Sequence, residues 1–161
     1  MTIVVRPALV TDALGIAQVH VGAWQEAYAH LVPAESLARQ NVDQRARRWA
    51  EIIGEQTENV WVAVDDGLEV VGWVSTSSGR GENPPRQLEL DGLYVLASQY
   101  GTGVGQLLLD TAIADAPAFL WVADDNPRAR AFYARNGFVP DGATDTHSLA
   151  GTPVRAIRLV R

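Results

Sequence analysis

The sequence predicts a single mixed α/β domain with about six or seven strands and about four helices. Two patterns support this prediction: short β-branched and apolar runs, typical of strands, alternate with amphipathic stretches of helical period. Their order is β-α-α-β-β-β-α-β-α-β-β, without an internal repeat or a linker. Because 161 residues are the size of one ordinary domain, residues 1–161 are expected to form one domain around a sizeable core.

The first half of the chain predicts a strand, two helices and a hairpin. Residues 3–6 form a short β-branched strand, and residues 10–28 carry apolar side chains at spacings of three and four, the period of an amphipathic helix. A second helix is predicted over residues 35–53, and residues 59–77 predict two antiparallel strands around an Asp-Asp-Gly turn. The core face of the first helix is predicted to consist of Val10, Leu14, Ala17, Val21, Trp24 and Tyr28.

The second half alternates strands with shorter helices. Residues 87–96 are an extended run, and a helix follows over residues 103–114. Asn126 is a suitable N-cap for another helix, because Pro127 stands at its first position and an Asn-Gly pair at 136–137 ends it. Further strands are predicted over residues 118–123, 138–139 and 154–160.

The composition excludes several kinds of chemistry. All 13 basic residues are arginine, and neither lysine nor cysteine occurs in the chain. The protein therefore has no P-loop lysine, no Schiff-base lysine, no thiol nucleophile and no thiolate metal site. His20, His30 and His147 are too few and too scattered for the usual zinc spacings, so no metal is expected. Carboxylates, tyrosines, hydroxyls, arginines and backbone amides must carry the chemistry.

The charge and hydropathy of the chain predict its partners and location. With 19 acidic and 13 basic residues the net charge is −6, and no basic stripe is available for phosphate backbones, so nucleic acid is not an expected partner. No apolar run approaches the roughly 18 residues of a membrane span, and the first residues do not resemble a signal peptide. A cytoplasmic protein without a membrane partner is therefore expected.

A glycine-rich segment predicts an anion site. In residues 88–110, a strand runs into Gly101-Thr102-Gly103-Val104-Gly105, and an amphipathic helix begins at once. Glycines allow close approach of an anion, and the free N–H groups and dipole of the helix N-terminus attract it. One interpretation is a dinucleotide site of an oxidoreductase, with Asp124 as the ribose-binding acid. Against it, Gln106 occupies the position of the third glycine, and the unit lies too late in the chain for a doubly wound sheet.

A second interpretation accounts for two blocks of sequence. Tyr100-Gly101-Thr102-Gly103-Val104-Gly105 resembles the Q/R-x-x-G-x-G/A pyrophosphate motif of the GNAT superfamily of acetyl-CoA-dependent N-acetyltransferases, except that Tyr100 replaces Gln or Arg. Residues 126–138, NPRARAFYARNGF, resemble the N-x-x-A-x-x-F/L-Y-x-x-x-G-F block of the same superfamily. The resemblance covers nearly the whole chain and implies a mixed, mostly antiparallel sheet.

The resemblance also implies acetyl-CoA as cosubstrate and a set of residues that bind it. The pantetheine would lie along the backbone of a strand that diverges from its neighbour, and the pyrophosphate would bind the glycine loop. Arg128, Arg130 and Arg135 are candidates for the 3′-phosphate. The implied coenzyme-binding residues are Leu93, Tyr94, Val95, Tyr100, Gly101, Thr102, Gly103, Val104, Gly105, Gln106, Asn126 and Tyr133.

Acetylation of an amine requires a base, because an alkyl amine with a pKa of about 10.4 is protonated at neutral pH. Glu89 is the candidate that the resemblance favours, and Asp91 is expected on the same strand face by the period of two. Either carboxylate could act directly or through water, and both could equally be solvated strand residues. Tyr133 is the implied acid for the departing thiolate; its structural alternative is a core aromatic beside Phe132.

The acceptor is predicted less specifically. The resemblance implies a small-molecule amine or a peptide N-terminus, bound between the first two helices and a late loop over residues 140–153. Trp24, Tyr28 and Glu89 are the candidate acceptor-binding residues, and His30, Trp49 and His147 lie in the same predicted region. A non-catalytic CoA-binding sensor on the same fold is a further alternative. A homodimer is compatible with the resemblance.

Overall fold

The computed structural model describes residues 2–161 and confirms the mixed α/β fold. Seven strands and five α-helices occur in this part of the chain. The strands are β1 (Val4–Pro7), β2 (Asn59–Val64), β3 (Val70–Ser78), β4 (Leu88–Val95), β5 (Phe119–Ala123), β6 (Val139–Leu149) and β7 (Thr152–Val160). The helices are α1 (Ala13–Ala27), α2 (Ala34–Ala38), α3 (Val42–Glu55), α4 (Val104–Ile113) and α5 (Pro127–Arg135). None of these helices is long and apolar enough to cross a bilayer.

The strands form one sheet in the order β1-β2-β3-β4-β5-β7-β6. Within residues 2–161, only β4 and β5 pair in parallel, and the other neighbours are antiparallel. A doubly wound dinucleotide fold needs a mostly parallel sheet, so the dinucleotide interpretation is wrong. Asp124, its candidate ribose ligand, instead forms an ion pair with Arg130, with 3.0 Å between the nearest atoms.

The centre of the sheet contains a fork. β4 and β5 are bridged at a single pair, Glu89 and Phe119, and beyond it the two strands separate. On its other edge β4 pairs with β3, where Thr76 lies opposite Leu90 and the preceding Ser75 lies opposite Gly92. Asp91 is therefore the extra residue of a β-bulge, which bends β4 away at the fork.

Two apolar layers cover the two faces of the sheet. On one face, Leu108 and Leu109 of α4 pack against Val74, Leu90 and Leu120 of the sheet. On the other face, Ile16 of α1 and Trp49 of α3 pack with Val62 and Trp73. Because side chains alternate along a strand, the residues next to Leu90 and Leu120 point away from α4. Glu89, Asp91 and Trp121 consequently lie on the face opposite to α4.

Three details of the predicted elements are wrong. The helix predicted over residues 35–53 is two helices, because Asn41 begins α3 by accepting a hydrogen bond from the Gln44 N–H at 2.9 Å. The strand predicted at residues 138–139 extends to Leu149 as β6. Val10 and Leu14, both predicted on the core face of the first helix, are half exposed, because Val10 lies in a short 3-10 turn before α1 and α1 buries a different, broader face against α3 and the sheet. That face includes Ala13, Ile16, Ala17, Val19, His20, Val21 and Ala23.

Candidate active site

A cleft of about 1900 Å³ opens at the fork between β4 and β5. Its lining has two chemically different parts. The first, called the glycine half, is formed by Tyr100, Gly101, Gly103, Gly105 and Arg128. The second, called the carboxylate half, is formed by Arg80, Glu89, Asp91, Trp121 and Arg158.

The glycine half presents bare backbone. Gly101 and Gly103 have φ angles of 75° and 90°, values that L side chains rarely adopt. A Cβ built on either glycine would meet no atom within 4 Å, so both face open space. The first N–H groups of α4 have no partner inside the helix, which leaves them available to an anion. This backbone geometry suits a phosphate group.

An arginine is held at the edge of the glycine half. The guanidinium carbon of Arg128 lies 3.6 Å from the ring centroid of Tyr100, a close cation–π stack. Arg128 forms no ion pair with a carboxylate anywhere in residues 2–161, whereas its neighbour Arg130 pairs with Asp124. Arg128 therefore offers an unneutralised positive charge beside the free N–H groups of α4.

The remaining residues of the glycine loop act through their backbone or pack. The Thr102 hydroxyl donates to the Gln99 carbonyl at 2.7 Å and closes the turn. Val104 is buried in the core. The Gln106 amide bonds to Asn136, with 2.8 Å from Nε2 to Oδ1, and ties α4 to the end of α5. The Asn126 side chain accepts from the Ala129 N–H at 3.2 Å, as predicted for a helix cap.

Beyond Glu89, the edge of β4 that faces β5 forms no strand pairing with it. Leu93, Tyr94 and Val95 all line the cleft along this edge, and their other edge pairs with β3. Backbone donors and acceptors at this edge are therefore available to a ligand that enters the fork.

Three tyrosines meet behind the fork. The hydroxyls of Tyr28 and Tyr94 lie 2.9 Å apart and share a hydrogen bond. Tyr133 packs against Phe132 and Phe138, so the structure bears out its packing role, and it also lines the cleft. Its hydroxyl bonds to no other group among the residues described. Burial raises the pKa of Tyr133, with a further contribution from Tyr28, so the phenol remains protonated at neutral pH.

The carboxylate half contains two buried acids that share one cation. The side chains of Glu89 and Asp91 are only 4% and 7% exposed. Arg80 Nη2 lies 2.8 Å from Glu89 Oε2 and 3.0 Å from Asp91 Oδ1. The Ser77 hydroxyl donates to the same Asp91 Oδ1 at 3.0 Å. Glu89 and Asp91, which were predicted to share a strand face, therefore both reach the same guanidinium, in spite of the bulge at Asp91.

Asp91 is the acid that titrates near neutrality. Burial raises its pKa to about 7, against the lowering effects of the hydrogen bond from Ser77 and the charge of Arg80. Its Oδ2 is buried and has no hydrogen-bond partner within residues 2–161. Asp91 also lines the cleft, which makes its carboxylate a candidate proton acceptor for a ligand bound there.

The far wall of the carboxylate half is aromatic and basic. Trp121 of β5 lies opposite Arg158 of β7, and the Arg158 guanidinium is 5.6 Å from the indole ring. Asp141 accepts a 2.6 Å hydrogen bond from Arg158 Nε and fixes its position. The His147 ring, 5.3 Å from that of Trp121, completes the wall.

The predicted acceptor residues separate into two groups. Trp24 and Tyr28 line the cleft, although Tyr28 is also buried in a small core with Val32 and Leu37. The proposal of Trp49 for the acceptor region is wrong, because its side chain is buried and its Nε1 donates to His20 Nδ1 at 3.2 Å. Trp49 is packed between α1, α3 and the sheet, so its side chain does not reach the cleft.

Known proteins with the same sequence pattern identify the family. The profile of the Acetyltransferase (GNAT) family matches residues 24–138. The chain belongs to the GNAT acetyltransferase family. An uncharacterized N-acetyltransferase of Bacillus subtilis is 27% identical, covering 98% of this chain and 91% of the relative. One from Mycobacterium tuberculosis is 30% identical, covering 82% of this chain and 86% of the relative.

A solved GNAT structure has the same fold. The yncA protein of Salmonella typhimurium, solved with its cofactor acetyl-CoA, superposes with a TM-score of 0.71 at 18% identity. The alignment covers 100% of this chain and 94% of that protein. The protein is thus an acyltransferase of the GNAT family with the family's open, mostly antiparallel sheet.

Arg80 and Trp121 were not predicted as site residues of this GNAT protein. Arg80 lies in the segment SSGRGENPPR, whose glycines and prolines indicate only a loop. Trp121 lies in a compact apolar strand, where a core position is the natural expectation. The alternation of FLWVA about Leu120 and Val122 is the one signal that places Trp121 on the other face.

Proposed function

We propose that this protein transfers the acetyl group of acetyl-CoA to a primary amine by direct attack in a ternary complex. The observation that carries the proposal is the fork itself, where an anion-binding glycine half meets a buried carboxylate that can accept a proton. Acetyl-CoA supplies an activated thioester carbonyl and a thiol leaving group. The residues of the chain supply binding, charge stabilisation and proton transfer.

The glycine half fits the coenzyme. The backbone N–H groups at Gly101, Gly103, Val104, Gly105 and Gln106 would hold the pyrophosphate, because two phosphates need several donors and no side chain blocks the approach. Arg128 would add a positive charge for one of the phosphates. Leu93, Tyr94 and Val95 would bind the pantetheine along the open edge of β4.

The carboxylate half fits the acceptor amine. Asp91 is the proposed proton acceptor, because its Oδ2 has no partner within residues 2–161 and its pKa of about 7 matches neutral pH. Glu89 is the less suitable base, because both of its carboxylate oxygens accept hydrogen bonds from Arg80. Glu89 would serve instead as a fixed negative charge that attracts the ammonium form of the acceptor.

Two groups would stabilise the negative charge that develops on the coenzyme during the reaction: the open edge of β4 and the hydroxyl of Tyr133. A β4 backbone N–H can donate to the thioester oxygen as it gains negative charge. Tyr133 can donate its proton toward the sulfur. The raised pKa of Tyr133 makes it a weaker acid in the free protein, but the same dry surroundings also raise the pKa of a bound thiol.

The chain favours direct attack over an acetylated enzyme, because it has no cysteine to form an enzyme thioester. In the proposed reaction the acceptor ammonium loses one proton to Asp91, the nitrogen bonds to the acetyl carbon, and the carbon–sulfur bond breaks. The nitrogen loses its second proton to solvent as the amide forms, and Asp91 then releases its proton to solvent, so that one proton is released per turnover. The thiol receives its proton from Tyr133, which is reprotonated from solvent. The acceptor is a small-molecule amine or a peptide N-terminus, with Trp24, Tyr28 and Glu89 on the walls around it.

The proposal also covers the domain organisation, the metal requirement and the cellular location of the enzyme. We infer that residues 1–161 form one N-acetyltransferase domain that works without a metal ion in the cytoplasm. Homodimer formation is compatible with it.

Calorimetric titration with acetyl-CoA, followed by a thiol-release assay on a panel of amines, tests the proposed function. The panel includes polyamines, aminoglycosides, amino acids and peptides with free N-termini. We expect coenzyme binding and acetylation of at least one amine. The lysine-free chain offers only its own N-terminus as an internal acceptor, so background transfer is low. Absence of binding near millimolar coenzyme would falsify the assignment, and binding without any transfer would indicate a sensor.

A further inference from the structure

Arg80 connects an exposed loop to the two buried acids of the carboxylate half. It lies between β3 and β4, and its side chain is 66% exposed, in contrast to the buried carboxylates that it contacts. Its backbone N–H donates to Glu89 Oε1 at 3.1 Å, and its Nη2 reaches both acids. One guanidinium thus holds two buried carboxyl groups on the same side of the fork.

The contacts of Arg80 are unequal. Glu89 receives hydrogen bonds on both carboxylate oxygens, from the backbone N–H and from Nη2. Asp91 meets Arg80 through Oδ1 alone, and its Oδ2 stays without a partner among the residues described. A carboxylate that accepts hydrogen bonds on both oxygens has both acceptor atoms engaged, whereas one bound on a single oxygen keeps the other available. The contacts of Arg80 therefore give two chemically similar carboxylates different hydrogen-bonding environments.

We propose that Arg80 is a positioning residue for acetyl transfer, which occupies both carboxylate oxygens of Glu89 and leaves Asp91, with its free Oδ2, as the single proton acceptor at the fork. The inference rests on the proposed function and adds the residue that selects the base. Arg80 touches neither reacting group in this scheme. It acts through the two carboxylates by compensating one of their two negative charges.

Other charged groups near Glu89 and Asp91 also affect the electrostatics of the two carboxylates. Glu58, which precedes β2, and Glu89 both raise the pKa of Asp91. The rest of the cleft lining carries charges of both signs that form no ion pair with Arg80 within residues 2–161. These groups are Glu26, His30, Glu82, Arg128, Arg135, Asp145, His147 and Arg158.

Removal of Arg80 would leave two buried carboxylates without their shared cation. Two uncompensated negative charges in one buried site disfavour each other, so Asp91 would hold its proton to higher pH. The enzyme would then lose activity near neutral pH and recover it in alkaline solution. Simple disruption of the loop would lower activity by the same factor at every pH.

The first test is the pH dependence of kcat at saturating amine for the wild type, Arg80→Gln and Arg80→Lys. We expect Arg80→Gln to shift the acidic limb upward by about one pH unit, because an exposed opposite charge gives the lower end of such pKa shifts. At pH 7 this shift corresponds to a loss of activity of about fivefold, because the pKa of Asp91 is itself about 7, and Arg80→Lys restores part of it. Arg48→Gln, which removes an arginine on the surface of α3, is the matched charge control with an unshifted profile.

The second test needs no activity. Carboxyl carbon NMR follows the titration of Asp91 in the free protein, with Asp91→Asn and Glu89→Gln used for assignment. We expect a higher titration midpoint in Arg80→Gln than in the wild type. An unchanged midpoint, or a loss of kcat that is equal at every pH, would overturn the role of Arg80. A wild type that acetylates no amine would refute the proposed function, while the NMR titration would still decide the effect of Arg80 on Asp91.

Discussion

The glycine half and the carboxylate half meet at the same fork but are built in different ways. The glycine half uses backbone N–H groups and positive φ angles within one continuous loop, Tyr100 to Gly105. The carboxylate half brings together side chains from a loop and three separate strands, and it depends on burial for its chemistry. A site made of backbone tolerates many side chains, whereas a site made of buried charges depends on each partner. Substitutions should therefore be most severe in the carboxylate half.

The largest effect is expected for Asp91→Asn. Loss of a general base typically costs 100-fold or more, so we expect kcat to fall by about 100- to 1000-fold. The calorimetric Kd for acetyl-CoA should be unchanged, because Asp91 lies in the other half of the cleft. Glu89→Gln is the comparison, with an expected loss of about tenfold from removal of a fixed charge. Equal losses in both variants would contradict the assignment of the base to Asp91.

Asp91 also gives the stability a characteristic pH dependence. Its pKa rises on folding from the ordinary value near 3.8 to about 7, so its contribution is fully present below about pH 4 and is lost as the pH rises through 7. As the pH rises from about 4 to above 7, the free energy of unfolding of the wild type should therefore decrease relative to that of Asp91→Asn, by a few kcal/mol at most. Chemical denaturation at pH 4 and pH 8 measures the difference, and a constant offset would contradict it.

A second pH dependence of stability is expected from His20, whose ring packs on that of Tyr94. The His20 ring stacks on Tyr94 at 5.8 Å, and burial lowers its pKa to about 3, with a smaller lowering from Arg45. In the unfolded chain the His20 imidazole takes up a proton near pH 6.5, whereas the buried imidazole stays neutral. The free energy of unfolding is therefore highest above pH 6.5 and decreases as the pH falls below it. The loss should reach about 3 kcal/mol at pH 4. His20→Gln should flatten this dependence, and His30→Gln, at an exposed position, should leave it unchanged.

Tyr133→Phe tests the contribution of a group that stands between the two halves. Removal of one hydrogen bond to developing charge costs about 1.5–3 kcal/mol, so kcat should fall by about 10- to 100-fold. Packing against Phe132 and Phe138 needs no hydroxyl, so the melting temperature and the coenzyme Kd should stay near the wild-type values. Unchanged turnover would exclude the acid role of Tyr133.

The smallest effect is expected in the glycine half. If Tyr100 acts as a platform for Arg128, Tyr100→Ala should weaken coenzyme binding by about two- to fivefold, the value of an exposed cation–π contact. Tyr100→Phe keeps the aromatic face and should bind as the wild type does. Comparison of CoA with 3′-dephospho-CoA on Arg128→Gln then shows which phosphate Arg128 contacts. Equal binding by the Ala and Phe variants would exclude the platform.

The sequence determined the elements and the glycine half, because these depend on neighbours along the chain. Helical and strand periods, the Asn126 cap and the glycine loop before α4 are local signals, and they placed most of the elements correctly. The same local signals missed the break between α2 and α3 and the full length of β6. A cap at Asn41 and a pairing partner for β6 override periodicity at these points.

Only the tertiary structure decided the carboxylate half. Glu89 and Asp91 could be read as solvated strand residues until the sheet buried them, and nothing near Arg80 in sequence indicates its contact with both. The charge state of a carboxyl group depends on water exclusion and on cations brought in by distant segments. Water exclusion and contacts between distant segments arise only on folding. The sequence could therefore predict a coenzyme loop and two candidate bases, but only the fold gives the two carboxylates different environments.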